Sequence, residues 1–145
     1  MNPPPTSIVY IVGADSALHD ALRDLLESVG LRTLACANLE AFLAAYQSDW
    51  PGCLLLDARV SGRDDLGAQR RLREQGIDAP VIMIAGHADV AMAVTALRQG
   101  VLDFIEKPFN DQILLAGVHH ALAVDATRRR ARAQYQELLR RFDTL

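Results

Sequence analysis

The feature that most limits the possible folds is the run Gly52–Asp57, an unbroken apolar stretch that ends in a carboxylate. Its apolar residues do not alternate with polar ones, which is typical of a strand buried on both faces of a parallel sheet. Asp57 would then lie at the carboxyl end of the strand, the edge where ligands and chemistry collect in open α/β sheets. Asp is also a common turn residue, so the neighbouring segments must decide between a site and a simple turn.

Five short apolar runs alternate with segments of helical character. We predict strands at Ile8–Val12, Leu31–Cys36, Gly52–Asp57, Pro80–Ala85 and Val101–Ile105. Asp15 or Ser16, Asn38 and Asn110 are the predicted N-caps of three helices, and Leu66–Gln75 and Ala88–Gln99 are the other two helical segments. The predicted inward stripes are Leu18, Leu22, Leu25 and Leu26 in the first helix, and Ile113, Leu114, Val118 and Leu122 in the last.

This alternation with short loops is the pattern of βα units around a parallel sheet. Right-handed crossovers leave the Rossmann-like and flavodoxin-like arrangements as the common solutions. Because no G-x-G-x-x-G motif follows the first strand, the dinucleotide-binding arrangement loses support. We therefore predict an α/β fold with a flavodoxin-like, doubly wound, five-stranded parallel sheet in the order 2-1-3-4-5 and five helices.

Composition narrows the class of protein further. The chain has 145 residues, half of them hydrophobic, which fits one domain with a sizeable core. A net charge of −3 gives no footprint for nucleic acid, and no apolar run or signal-peptide pattern indicates a membrane protein. Cys36 and Cys53 lie in apolar surroundings and are predicted to be buried free thiols. A cytoplasmic location is the expectation.

Two stretches carry a family resemblance: Gly86–Val94 reads GHADVAMAV, and Gly100–Phe109 reads GVLDFIEKPF. The second is close to the pattern G-A-x-D-F-I-E-K-P-F, at the correct spacing from Asp57. Over residues 8 to 124 the chain resembles the receiver domain of two-component response regulators, in particular the FixJ-like branch. The resemblance implies a non-enzymatic module that takes part in phosphorelay signalling and controls transcription.

The resemblance also implies roles for single residues. Asp57 matches the aspartate that accepts a phosphoryl group from a histidine kinase. Lys107 matches the lysine that contacts this group, and it is the only Lys beside fourteen Arg. Phe104 matches an aromatic side chain that moves between exposed and buried positions.

Other pocket positions depart from the family pattern. The two acids that hold magnesium in receivers are replaced by Gly13 and Ala14, and the hydroxyl residue after the fourth strand is Ala85. Asp15 is acidic but is one position late and suits a helix cap. Magnesium prefers octahedral oxygen ligands that include one or two carboxylates. We therefore expect no cofactor and at best a weak metal site of Asp57 and Asp15.

Without neighbouring acids, Lys107 has one obvious partner in Asp57. The sequence predicts a direct, partly buried ion pair between them. The leading hypothesis is an atypical receiver without normal magnesium-dependent phosphorylation; the alternative is a conventional receiver that a histidine kinase phosphorylates on Asp57. An enzyme of flavodoxin-like or Rossmann-like fold is a third class, but the four histidines have no nucleophile at a motif spacing.

The remaining predictions concern partners and boundaries. The resemblance implies a homodimer through the fourth helix and fifth strand, at a face that includes Val90, Val94, Arg98 and Leu102. Residues 1–7 are predicted to be a disordered tail, and residues 125–145 a linker helix that leads to a DNA-binding domain absent from this chain. The arginines of that segment are partly balanced by acids, so a solvated helix is preferred over a nucleic-acid site. No membrane partner is expected.

Overall fold

A computed structural model describes residues 7–59, 65–86 and 89–143 of the chain. Its five parallel strands form one sheet in the order β2-β1-β3-β4-β5, so the predicted topology is confirmed. The strands are β1 Ile8–Val12, β2 Arg32–Cys36, β3 Gly52–Asp57, β4 Val81–Ala85 and β5 Asp103–Glu106. The helices are α1 Ser16–Ser28, α2 Leu39–Ala45, α3 Asp65–Glu74, α4 Val90–Arg98 and α5 Asp111–Asp143.

Both faces of the sheet are covered. On one face, Tyr10, Leu54 and Met83 pack with Phe42 and Leu72 from the helices. Residues of the opposite parity, such as Leu55 and Ile82, pack with α1 and α5 on the other face. Because successive side chains of a strand point to opposite faces, the unbroken apolar runs supply both cores at once.

The helix starts follow the predicted caps. Asp15 accepts hydrogen bonds from the backbone of Ala17 and Leu18, so Asp15 and not Ser16 caps α1. Asn38 accepts one from Ala41 at the start of α2, and Asn110 accepts one from Gln112 at the start of α5. These bonds satisfy backbone N–H groups that have no partner inside the helix.

Two details of the prediction are corrected. Ile113 does not face the core: its side chain is 61% exposed, whereas Leu114 and Val118 are fully buried. Adjacent helical residues point about 100° apart, so Ile113 and Leu114 cannot both face the sheet squarely. The fifth strand begins at Asp103, because Val101 belongs to the turn that closes α4 through a hydrogen bond to Ala96.

Helix α5 extends well past the sheet. It has 33 residues, which corresponds to roughly 50 Å at 1.5 Å per residue. The tail predicted to be disordered lies outside the described residues, apart from Ser7. Within the described ranges, no helix is long and apolar enough to span a membrane.

The two cysteines are buried and free, as predicted. Burial and, to a smaller extent, the negative charge of Asp125 raise the pKa of the Cys53 thiol to about 12. Burial also raises the pKa of the Cys36 thiol. Both groups are therefore neutral thiols at neutral pH.

Candidate functional site

Asp57 lies at the carboxyl end of β3, and its side chain is only 6% exposed. One carboxylate oxygen, Oδ1, accepts a hydrogen bond from the backbone N–H of Arg59 at 3.1 Å. The other, Oδ2, lies 3.4 Å from Nζ of Lys107. Protein donors therefore engage both oxygens of the buried carboxylate.

Lys107 directly follows β5, and its backbone is held next to the end of β4, so its side chain can reach Asp57 at the end of β3. Its backbone N–H donates to the carbonyl of Ala85 at 2.8 Å, and its peptide bond to Pro108 is cis. The side chain is 27% exposed, so the ammonium group keeps part of its contact with water. The predicted partly buried ion pair is confirmed, since 3.4 Å is within the usual limit of about 4 Å.

A cavity of about 340 Å³ opens beside this pair. Its lining residues are Ala14, Asp15, Ala37, Asp57, Arg59 and Lys107. The loop after β1 and the residues after β3 and β5 meet here because parallel strands bring their carboxyl ends to one edge. The edge thus gathers residues that are far apart in the chain.

Arg59 and Asp89 belong to this edge but were not singled out from the sequence. Arg59 Nε lies 3.8 Å from Asp89 Oδ2, and the Arg59 side chain is 76% exposed. Such an exposed pair contributes roughly 1 kcal/mol or less. The position of Arg59, two residues after Asp57, could have indicated that it lies near the site. Nothing in the sequence around Asp89 indicated that it would pair with Arg59.

The positions where the family pattern has acids offer no carboxylate to the cavity. Gly13 is buried, and its N–H donates to the carbonyl of Cys36 at 2.9 Å. Ala14 lines the cavity with a methyl group. Asp15 also lines it, but Oδ1 of Asp15 already accepts from Ala17 and Leu18 at 3.0 and 3.2 Å. Its role as a helix cap therefore competes with any role as a ligand.

This donor set offers few carboxylates to a magnesium ion. A protein site for this ion needs oxygen ligands free to approach to roughly 2.0–2.1 Å in octahedral geometry. Each oxygen of Asp57 already has one protein donor, and the ammonium group of Lys107 places a positive charge beside the carboxylate. Among the described residues, no three His, Cys, Asp or Glu side chains form a group that could hold a metal.

The structure places the other predicted residues around this edge and on the neighbouring face. Ala85 is fully buried at the end of β4 and offers no hydroxyl. Phe104 is half-buried and packs against the core. Val94 is 40% exposed and Arg98 is exposed, while Leu102 packs partly against the core. The side chain of Val90 lies outside the described part of the structure.

The doubly wound sheet therefore presents a buried carboxylate and a lysine together at the carboxyl ends of its strands. The family model for the response regulator receiver domain matches residues 9–119. The chain belongs to this family and is a receiver domain of two-component signalling.

Individual relatives agree. The chain is 37% identical to the response regulator protein TmoT of Ectopseudomonas mendocina over 96% of this chain and 63% of that protein. It is 32% identical to the transcriptional regulatory protein FixJ of Bradyrhizobium diazoefficiens over 94% of this chain and 67% of that protein. The solved structure of the response regulator StyR superposes with a TM-score of 0.88 at 31% identity, covering 97% of this chain and 71% of that one.

The relatives are longer than this chain. It spans 61 to 63% of the length of TmoT and the TodT response regulators of Pseudomonas putida.

Proposed function

We propose that this chain is an atypical receiver that controls a transcriptional output without conventional magnesium-dependent phosphorylation of Asp57. One observation carries the proposal: both oxygens of Asp57 have protein donors, while Gly13 and Ala14 stand where receivers carry acids. Phosphoryl transfer depends mainly on positioning and on neutralising the charge of the transferring oxygens. A pocket without a metal cage lacks much of that neutralisation.

Ala85 supports the same interpretation. A side-chain hydroxyl at the end of β4 would donate a hydrogen bond to a phosphoryl group on Asp57. Ala85 has no hydroxyl. Without this hydrogen bond, the phosphorylated state loses about 0.5–3 kcal/mol of stabilisation, depending on the charge of the acceptor. The phosphorylated state would therefore be both slower to form and more weakly recognised.

The Asp57–Lys107 pair gives the pocket a resting state of its own. In the proposal, the ammonium group takes the place of the cation that acids would otherwise hold, and the pocket stays in one state. A signal would then reach the domain through its surface, by partner binding or by dimerisation.

The test is to label the purified protein with a radioactive phosphoryl donor, acetyl phosphate, with and without millimolar Mg²⁺. The expected result is no stable label at a level above the Asp57→Asn blank, with or without the metal. A label that requires Mg²⁺ and is lost in Asp57→Asn would overturn the proposal. The chain would then be a conventional phosphoacceptor for a histidine kinase.

We further propose a homodimer through α4 and β5, whose exposed residues include Val94 and Arg98. An isologous dimer buries the same patch on both copies, so a charge introduced into the patch enters the interface twice. Val94→Asp should lower the dimer fraction in sedimentation experiments. Val29→Asp is the matched control, because Val29 is similarly exposed, at 43% against 40%, but lies at the end of α1.

The output partner is proposed by analogy with the longer relatives. FixJ is named as a transcriptional regulatory protein, so DNA would be reached through a region beyond the receiver. The proposed location is the cytoplasm, where histidine kinases of such systems act on their receivers.

A further inference from the structure

A second buried carboxylate lies at the opposite edge of the sheet. Asp125 on α5 has a side chain that is only 2% exposed. Its Oδ2 accepts a hydrogen bond from the backbone N–H of Gly52, the first residue of β3, at 3.0 Å. The same oxygen lies 2.8 Å from Nε of Arg129, one helical turn further along α5.

Arg129 extends this contact to the chain before β3. Its two terminal nitrogens donate to the carbonyls of Ser48 at 2.9 Å and Trp50 at 2.5 Å. A planar guanidinium group with several donors in a fixed geometry is suited to such a three-way contact, and an ammonium group is not. We call Asp125, Arg129 and these three backbone partners the amino-edge clamp.

Two more arginines tie α5 to the neighbouring segment before β4. Arg128 donates to the carbonyl of Asp78 at 2.6 Å, and Arg132 lies 3.1 Å from the carboxylate of the same residue. The backbone of Gly52 lies close to β1, because a Cβ atom there would lie 2.2 Å from the carbonyl oxygen of Ile8. The contacts of α5 are thus made to the start of β3 and to the segments that precede β3 and β4.

From residue 130 onward the helix leaves the body of the domain, apart from the contact of Arg132 with Asp78. Residues 130–143, which we call the arm, are all exposed and span about 20 Å at 1.5 Å per residue. Large apolar side chains lie on the arm at helical spacing: Tyr135, Leu138, Leu139 and Phe142. Leu114, Val118 and Asp125 form the stripe of α5 that faces the body. Around the helix axis, at 100° per residue, the centre of the apolar side chains of the arm lies about 90° from the centre of this stripe.

We propose that the amino-edge clamp is a positioning device that fixes the direction of the arm and presents its apolar face at one angle to the sheet. The arm continues the packed part of α5 but has no buried residue of its own, so its direction depends on contacts made near the point where the helix leaves the body. The clamp supplies the determinant within one turn of the point where α5 leaves the body. This inference is independent of phosphorylation, since the clamp lies at the edge opposite Asp57.

The experiment is a distance measurement between spin labels on Ala21→Cys in α1 and Gln134→Cys on the arm. Both positions are exposed, whereas the native Cys36 and Cys53 are buried and protected from the reagent. Pulsed dipolar spectroscopy of the parent should give one narrow distance distribution. Arg129→Gln should at least double its width, while circular dichroism shows that the helix content is kept.

Two further variants separate the clamp from general destabilisation. Arg129→Lys keeps the positive charge beside Asp125 but loses the fork to Ser48 and Trp50, so it should also broaden the distribution without preventing folding. Glu137→Gln is the matched control, because Glu137 pairs with Arg140 and Arg141 on the arm itself. It should leave the distribution unchanged. A broad distribution in the parent, or an unchanged one in both Arg129 variants, would overturn the proposal.

Discussion

A buried carboxylate lies at each end of the central strand β3: Asp57 at its carboxyl end, and Asp125 of α5 beside its amino end. The two carboxylates have different partners. Asp57 at the carboxyl edge meets Lys107 at 3.4 Å beside an open cavity of about 340 Å³. Asp125 at the amino edge meets Arg129 at 2.8 Å, and the arginine bonds two carbonyls as well. The longer pair, Asp57–Lys107, lies at the end of the sheet where receivers are phosphorylated. The shorter pair, Asp125–Arg129, lies at the opposite end, where α5 leaves the domain.

The difference shows which carboxylate serves stability. A buried charge is costly unless a partner and further hydrogen bonds compensate for the lost water. Asp125 has both and is closed off, whereas Asp57 keeps a partner that is partly in water and a cavity beside it. Measurements at the two ends of the strands test this contrast, from the largest expected effect to the smallest.

Replacing Asp125 by Ala should lower the free energy of unfolding by about 3–5 kcal/mol, because Arg129 and the Gly52 N–H lose a buried partner. Urea denaturation followed by circular dichroism measures the change. Asp57→Ala is the comparison, with an expected loss of about 1 kcal/mol, since Lys107 can return to water. Equal losses in the two variants would contradict the contrast.

Restoring one acid should change the carboxyl edge alone. Ala14→Asp places a carboxylate in the cavity lining and should tighten Mg²⁺ binding about tenfold, equivalent to about 1.4 kcal/mol. Isothermal titration calorimetry measures the affinity of the parent and the variant. Ala44→Asp, at an exposed position on α2, is the control for added negative charge. A similar gain in both variants would show that the effect is not local.

A double-mutant cycle of Asp57→Asn and Lys107→Met should give a coupling energy of about 1 kcal/mol or less. The separation of 3.4 Å and the partial exposure of Lys107 are the reasons for the low value. Chemical denaturation of the four proteins supplies the numbers. A coupling of several kcal/mol would mean that the carboxyl edge is held as tightly as the amino edge.

The smallest expected effect is on Cys53, whose pKa of about 12 reflects burial and the negative charge of Asp125. Asp125→Asn should lower this pKa slightly, because removing a nearby anion favours the thiolate and burial remains the larger cause. Asp57→Asn should leave it unchanged. Thiolate absorbance against pH measures both.

The sign of the pH dependence follows from the same pKa. The folded pKa lies above the ordinary value of 9, so the neutral thiol costs the folded state nothing below about pH 9. Titration of Cys53 should then lower the free energy of unfolding as the pH rises from 9 toward 12, by at most about 1.4 kcal/mol per pH unit, and the raised pKa of Cys36 acts in the same direction. A stability that rises over this range would contradict the assignment of a buried neutral thiol.

Much of the carboxyl edge was predictable because its signals are local. The apolar run before Asp57 predicted a central strand, and parallel order then brought the ends of β1, β3 and β5 together. With Gly13 and Ala14 present, Lys107 had one available acid, and the ion pair followed. The contact between Arg59 and Asp89 was not predicted, because it depends on where two loops meet.

The sequence by itself determined the five strands, the capped helix starts, the sheet order and the pairing of Asp57 with Lys107. The strands and helix starts follow from side-chain periodicity and local hydrogen bonding, the sheet order from the alternation of βα units, and the Asp57–Lys107 pair from the family resemblance at those two positions. Only the tertiary structure decided the amino edge, since Asp125 and Gly52 are 73 residues apart and a carboxylate on a polar helix resembles a solvated one. Its burial depends on α5 crossing the start of β3, a tertiary contact that the packed part of α5 and the clamp create together and that no local sequence pattern indicates.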